Sequence, residues 1–200
     1  MIPSLLLLLT LAGARADHID ILPLGAAESE LIKTIAGGLS VGFSVPLDIL
    51  RPEPLPGSAF DSARGQYRSS DILDYLISRF QSKLSPPAEP NGRILAITNA
   101  DIYADGLSFV FGEADIDHRL AVVSLARLKE EYYGRQPSRA LLVSRALREA
   151  THELGHTYGL PHCPDLSCVM HFSRDLAEAD RRTTNFCPDC FRKLPHNLER

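Results

Sequence analysis

The sequence is short of the features that nucleic-acid-binding and membrane-spanning proteins need. Its 200 residues include no tryptophan, and 21 basic against 25 acidic residues leave a formal net charge of −4. Because proteins that neutralise phosphates normally carry a basic excess, we expect no nucleic-acid partner. The one long apolar run extends from Leu5 to Leu9 and continues to Ala12. It is shorter than the roughly 20 residues that cross a bilayer, so we expect no stable membrane insertion.

This apolar run does resemble the centre of a secretory signal. Ala14-Arg15-Ala16 comes after it with the small-x-small pattern that signal peptidase cuts, although no lysine or arginine precedes it. Residues 1–16 are therefore a candidate signal peptide, and a misassigned start codon or an ordinary first strand is the alternative. We expect a secreted or periplasmic protein if residues 1–16 are a signal peptide, and a cytoplasmic one otherwise.

The rest of the chain has the composition of a folded domain, with 44% hydrophobic residues. Apolar runs between glycine and proline signals predict strands at residues 19–24, 41–49, 93–98, 107–111 and 120–125. Helical spacing of apolar residues predicts helices at 28–36, at 69–80 and from 139 to about 158. We expect the first helix to stop at Gly37-Gly38, residues 51–65 to form a loop, and Asp105-Gly106 to form a hairpin turn. Because strands and helices alternate, the sequence predicts an α/β fold with a mixed sheet.

The strongest functional signal is an H-E-x-x-H run at residues 152–156, on the last predicted long helix. His152 and His156 share one helical face, so both imidazoles can point at one ion. Gly159 lets the backbone leave the helix with positive φ, and the turn returns His162 toward the other two rings. The complete run has the metzincin pattern H-E-x-x-H-x-x-G-x-x-H, which predicts that the three histidines bind one Zn²⁺.

The glutamate inside this motif indicates catalysis. Three neutral imidazoles leave a fourth position for water, and zinc lowers the pKa of that water to about 7. Glu153 is placed to take the proton and pass it to a leaving amine. We therefore predict a zinc metallopeptidase that hydrolyses peptide bonds through a zinc-bound water activated by Glu153. A non-catalytic zinc-binding interaction module and a metal-dependent hydrolase of non-peptide substrates remain alternatives.

Four cysteines come after the histidines, with C-x4-C separated by eighteen residues from C-x2-C: Cys163, Cys168, Cys187 and Cys190. This spacing resembles a structural zinc site with four thiolate ligands. Two disulfides are the alternative, which an oxidising compartment would favour. We predict the zinc site, and hence two Zn²⁺ per chain, one catalytic and one structural. It would restrain the segment that carries the third histidine.

The motif from His152 to Cys190, with Met170 inside it, resembles the archaemetzincin family of metzincin metalloproteases. Shorter stretches extend the likeness over most of residues 19–190, namely 23–25, 64–67, 109–114 and 121–125. The resemblance implies a metzincin fold, with a twisted mixed sheet, an edge strand over the cleft, an active-site helix and a Met-turn beneath the metal, which Met170 matches. Phe172 stands where astacin-like relatives have a tyrosine, so it offers no hydroxyl.

We divide the chain, beyond the candidate signal peptide, into an N-terminal α/β metalloprotease subdomain at 17–159 and a small C-terminal subdomain at 160–200. The latter would hold the Met-turn and the four cysteines. We expect a monomer that acts on a peptide or protein substrate.

Several residues have weaker signals. Glu149 can form a salt bridge behind the metal or be solvated, and His171 is not expected to be a ligand. Asn99 and Asp101 fit either a binding loop or a turn. Residues 107–112 fit either an edge strand that pairs with an extended peptide or a simple core or edge strand.

Overall fold

A five-stranded sheet lies at the centre of the structure, a computed structural model that describes residues 17–84 and 92–195. The candidate signal peptide lies outside these residues. The strands are β1 (His18–Leu24), β2 (Leu47–Ile49), β3 (Phe60–Asp61), β4 (Gln66–Arg68), β5 (Gly92–Thr98), β6 (Ile102–Tyr103), β7 (Gly112–Asp115) and β8 (Leu120–Ser124). The helices are α1 (Ser29–Phe43), α2 (Ser69–Leu84), α3 (Arg139–Thr157), α4 (Leu176–Arg181) and α5 (Pro188–Phe191).

The large sheet has the order β2-β1-β5-β8-β7, and the short strands form a second sheet, β3-β4-β6. Strands β2, β1, β5 and β8 are parallel, whereas β7 pairs with β8 in the antiparallel direction. The α/β fold with a mixed sheet that the sequence predicts is confirmed.

Helices cover both faces of the large sheet. Ile19 and Ile21 of β1 belong to the hydrophobic cluster that includes α1 and α3. Leu22 and Leu24 belong to the cluster that includes α2. Burial on both faces explains why the central parallel strands are near-continuous apolar runs.

The first helix is longer than the sequence predicts. Helix α1 continues through Gly37-Gly38 to Phe43, and the predicted strand at 41–49 is reduced to β2. Buried Leu39 and Phe43 extend the apolar face of the helix. A Cβ at Gly38 would lie 2.6 Å from a methyl carbon of Leu147 on α3. Gly38 is therefore a packing position between two helices and not a stop signal.

The predicted strand at 107–111 is wrong, because the edge strand is β7 at Gly112–Asp115. Asp105-Gly106 forms a turn with positive φ at Gly106, but the turn that joins β7 to β8 lies at residues 116–119. Arg64 Nη2 donates to the carbonyls of Leu107 and Ser108, at 3.1 and 3.0 Å. Side-chain donors thus satisfy carbonyl groups that a neighbouring strand would otherwise satisfy. The predicted loop 51–65 also contains a strand, β3.

Helix α3 and the segment after it agree closely with the sequence. Ser138 caps the helix by accepting from the amide of Leu141, and Gly159 has a φ of +83°. The two later helices are short. Val169, Met170 and Leu176 pack in the same hydrophobic cluster as α1 and α3, so these residues share its core. The division of the chain at residue 159 stays a prediction. Within the described residues, no helix combines the length and apolarity needed to cross a bilayer.

Candidate metal centre

Three histidine side chains converge at the C-terminal end of α3. One ring nitrogen from each of His152, His156 and His162 lies within 4.8 Å of the others. The Nε2 atoms of His152 and His156 are 3.1 Å apart. Two nitrogen ligands on one tetrahedral zinc ion are separated by about 3.3 Å. The arrangement therefore fits a single zinc ion.

Backbone carbonyls orient two of these imidazoles. Nδ1 of His152 lies 2.7 Å from the carbonyl oxygen of Val169, and Nδ1 of His156 lies 2.8 Å from that of Leu160. Because a carbonyl can only accept, each Nδ1 carries the proton and each Nε2 presents a lone pair. Burial lowers the pKa of both rings, and the Arg182 guanidinium lowers that of His152 further. Both rings are thus held in the neutral form that binds metals.

Glu153 lies buried opposite the edge strand β7. A Cβ at Gly112 would lie 2.6 Å from both Cγ and Oε1 of Glu153, so glycine leaves room for this side chain. Burial raises the pKa of Glu153 well above its usual range, the carboxylates of Glu149 and Glu113 add to the rise, and Arg182 opposes it. Burial and the two neighbouring carboxylates therefore make Glu153 a stronger base than an exposed glutamate.

Met170 packs beneath the helix that carries the histidines. It is fully buried, and a Cβ at Gly155 would collide with its sulfur atom. The amide of Cys163 donates to the carbonyl of Met170, at 2.9 Å. Met170 thus forms a packed floor, as the Met-turn resemblance implies, and hydrogen bonds join this floor to the first cysteine.

The four cysteine thiols form the second group. The ligand atoms of Cys163, Cys168, Cys187 and Cys190 lie within 4.8 Å of one another, and all four thiols are free. The sulfurs of Cys163 and Cys187 are 3.8 Å apart. Thiolates on one tetrahedral zinc ion are about 3.8 Å apart, whereas disulfide sulfurs are about 2.05 Å apart. The geometry fits a four-thiolate zinc site.

Arg182 is part of this region, although its sequence context did not indicate it. Its side chain is 1% exposed, pairs with Glu149, and donates to the carbonyls of Val169 and His171. Glu149 is therefore buried in a salt bridge, and the solvated alternative is wrong. No local signal marks Arg182, because its partners are distant in the sequence. His171 directs Nδ1 toward the carbonyl oxygen of Cys163, at 2.9 Å, and lies outside the three-histidine group.

A cavity of about 470 Å³ opens over the histidines. His152, His156, His162 and Glu153 line it on one side, together with Glu113 from β7. Bulky apolar residues form much of the remaining wall: Leu107, Phe109, Val110, Phe111, Ile116 and Phe172. Residues 107–112 thus border the cavity, although residues 107–111 are not a strand.

Asn99 and Asp101 have structural partners. Asp101 forms a salt bridge with Arg127, at 2.7 Å, and Asn99 accepts from Lys129. In the described part of the chain neither residue lines this cavity, which favours the turn interpretation over a binding loop at the histidines.

The chain is similar to known peptidases over most of its length. Residues 58–196 match the model of peptidase family M54, a range that includes all seven residues of the two groups. The archaemetzincin of Pyrococcus furiosus is 37% identical over 191 residues, which cover 92% of this chain and 95% of that protein.

Two solved structures resemble the chain over most of its length. The crystal structure of archaemetzincin from Methanopyrus kandleri is 36% identical, with a TM-score of 0.74, and the match covers 96% of this chain and 100% of that one. The crystal structure of a zinc-dependent peptidase from Methanocorpusculum labreanum is 29% identical, with a TM-score of 0.78, and the match covers 88% of this chain and 100% of that one. Relatives with the same overall fold thus include a zinc-dependent peptidase.

Proposed function

Since this chain belongs to peptidase family M54, the archaemetzincins, we propose that His152, His156 and His162 hold its catalytic zinc and that Glu153 is its general base. Membership of the family makes the protein a zinc metallopeptidase, and the non-catalytic interaction module is not favoured. The observation that carries the residue assignment is the convergence of three ring nitrogens and one buried carboxylate on the same cavity.

The chain's own residues have separate parts in peptide hydrolysis. Zinc, when bound, polarises a carbonyl group and makes water more acidic. Glu153 accepts a proton on a carboxylate oxygen as water attacks the scissile carbonyl, and it returns that proton to the amine nitrogen as the C–N bond breaks. His152 and His156 hold their Nε2 lone pairs toward the metal position through the Nδ1 contacts with backbone carbonyls. Phe172 has no hydroxyl with which to stabilise an oxyanion.

The cavity supports a peptide or protein as the substrate. Its apolar wall borders the edge of the sheet, next to Glu153. An extended peptide that lies along residues 107–113 would place a backbone carbonyl near the three histidines. We expect the protein to act as a monomer.

We further propose that the four cysteines hold a second, structural zinc ion. Support comes from the sulfur spacing and from the closed set of four ligands. Metal analysis combined with thiol titration distinguishes the alternatives. Two zinc ions per chain, with thiols that react only after chelation, are expected. One zinc ion and no titratable thiol would indicate disulfides.

The experiment that tests the catalytic assignment is the substitution Glu153→Gln. The amide cannot accept a proton, so we expect turnover of a peptide library, measured by mass spectrometry, to fall roughly 10²–10⁴-fold. Zinc content and the thermal unfolding temperature should stay close to wild type.

The matched control is Glu131→Gln, which removes an exposed carboxylate that does not line this cavity. It should keep most of the activity. If Glu153→Gln digests the library at the wild-type rate, Glu153 is not the base.

A further inference from the structure

Arg182 joins the end of α4 to the segment beneath the three-histidine group. Its Nη1 donates to the carbonyl of Val169 at 3.2 Å and to that of His171 at 3.1 Å, and these carbonyls flank Met170. Its Nη2 pairs with the carboxylate of Glu149 on α3. One planar guanidinium therefore connects the Met170 turn to the helix that carries two of the histidines.

Arg182 shares an acceptor with His152. The carbonyl oxygen of Val169 also lies 2.7 Å from Nδ1 of His152, and a carbonyl oxygen has two lone pairs. Nη1 and Nδ1 are themselves 3.0 Å apart, so the guanidinium lies against the imidazole as well as against the carbonyl that the imidazole contacts. The position of Arg182 consequently helps to set the position of the group that orients the imidazole.

Glu149 compensates the charge of Arg182. Arg182 is 2% exposed and Glu149 is 3% exposed, so water screens neither charge effectively. A buried guanidinium without a partner would repel a divalent cation held by His152. With Glu149 paired to it, Arg182 can orient the Met170 turn while the pair adds no net charge behind the histidines.

We propose that Arg182 is a positioning residue for the zinc-binding imidazole of His152, acting through the carbonyl of Val169 and balanced by Glu149. The inference rests on the proposed three-histidine zinc site. It assigns Arg182 no contact with substrate and no part in proton transfer. If Arg182 has this positioning role, its substitution lowers the zinc affinity at the histidines by more than the accompanying loss of fold stability explains.

Arg145 offers a matched control for Arg182. It is 3% exposed, it forms partly buried ion pairs with Asp180 and Glu130, and it donates to the carbonyl of Leu128. Arg145 thus forms the same kinds of contact as Arg182, but none of them is with the Met170 turn. Arg182→Gln and Arg145→Gln should both lower the thermal unfolding temperature, because each removes a buried guanidinium together with its ion pairs and its hydrogen bonds to backbone carbonyls.

Zinc itself is the probe, and a chelator titration of the full chain measures its release. A thiol reagent reports whether the four cysteines stay protected, so the two groups are monitored separately. We expect Arg182→Gln to weaken zinc at the histidines roughly 10–100-fold, as loss of a residue that orients a ligand commonly does. Arg145→Gln should keep the wild-type zinc affinity within about twofold.

The outcomes separate this inference from the function on which it rests. If the wild-type chain holds no zinc beyond the thiol-bound ion, the three-histidine assignment itself fails. If the wild type binds zinc at the histidines and Arg182→Gln binds it equally well, or Arg145→Gln loses as much, the positioning role is wrong.

A second variant covers the case in which Arg182→Gln does not fold. Arg182→Lys keeps a positive charge opposite Glu149 but cannot span both carbonyls and the carboxylate with one ammonium group. We expect a smaller loss of zinc affinity in the same direction, and wild-type affinity in this variant would overturn the inference.

Discussion

The three-histidine group and the four-cysteine group meet at the peptide bond between His162 and Cys163. The histidines line the 470 Å³ cavity, and in the described part of the chain no cysteine does. Three neutral rings leave one coordination position for water or substrate, whereas four thiolates close the coordination shell. Two residues that are neighbours in sequence thus belong to different proposed centres, which differ in the number of ligands and in access to the cavity.

The largest effect is expected from a substitution that removes one proposed centre and leaves the other. His156→Ala takes away a ring of the open group, so we expect peptide hydrolysis to be lost. Metal analysis should show a decrease from two zinc ions to one, because the cysteine group is intact. Loss of both zinc ions would contradict the contrast between the two centres, because it would mean that the cysteine group cannot hold metal alone.

A second substitution perturbs the open centre without touching a ligand. Gly112→Ala would place a methyl group 2.6 Å from Cγ and Oε1 of Glu153 and so displace the carboxylate. Since a displacement of 1 Å can cost about 10²-fold in rate, we expect kcat to fall roughly 100-fold with both zinc ions retained.

Gly57→Ala is the control for this variant, because open space surrounds Gly57. Steady-state kinetics on one library-derived peptide measures both variants. Equal kcat values for Gly112→Ala and the wild type would mean that Glu153 tolerates displacement.

A third prediction asks whether the closed centre supports the open one. The amide of Cys163 donates to Met170, and His171 contacts the carbonyl oxygen of Cys163. We therefore expect Cys187→Ser to lose the structural zinc and to weaken zinc at the histidines roughly 10–100-fold, measured by chelator competition.

Asp189→Asn provides the matched control, since Asp189 lies between Cys187 and Cys190 and is exposed. It should bind both ions normally. Wild-type affinity at the histidines in Cys187→Ser would show that the two centres are independent.

The smallest expected effect is a change in fold stability caused by substitutions in α1, outside both proposed centres. Gly37→Ala adds a methyl group in open space within α1 and should stabilise the fold by roughly 1 kcal/mol. Gly38→Ala gains the same helix propensity but overlaps Leu147, and overpacking costs about 1–3 kcal/mol.

Urea unfolding of zinc-loaded protein measures the free energy of unfolding of each variant. The gain in helix propensity cancels in the difference between the two values. Zinc affinity at both centres should be unchanged. Equal stability of the two variants would contradict the close packing of α1 on α3.

The ligands of both proposed centres could be predicted from the amino-acid sequence, and for the three histidines the reason is that their geometry is local. Residues four apart on a helix share a face, and Gly159 permits the turn that returns His162. The Ser138 cap, the start of α2 at Ser69 and the buried strands β1, β5 and β8 result from equally local patterns. The grouping of the two cysteine pairs was predicted from a spacing typical of structural zinc sites, although residue 168 and residue 187 meet only after folding.

The surroundings of the histidines could not be predicted in this way, because they depend on tertiary contacts. Arg182 meets Glu149 from 33 residues away, and Gly112 of β7 faces Glu153 of α3. The segment 107–111 has the apolar pattern of a strand, but Arg64 binds its first carbonyls, and the strand begins at Gly112. Such contacts depend on how separate elements pack, and no periodicity within one element encodes them. The same reason explains why α1 continues through Gly37-Gly38: Leu147 of α3, more than one hundred residues later, makes Gly38 a position of close packing.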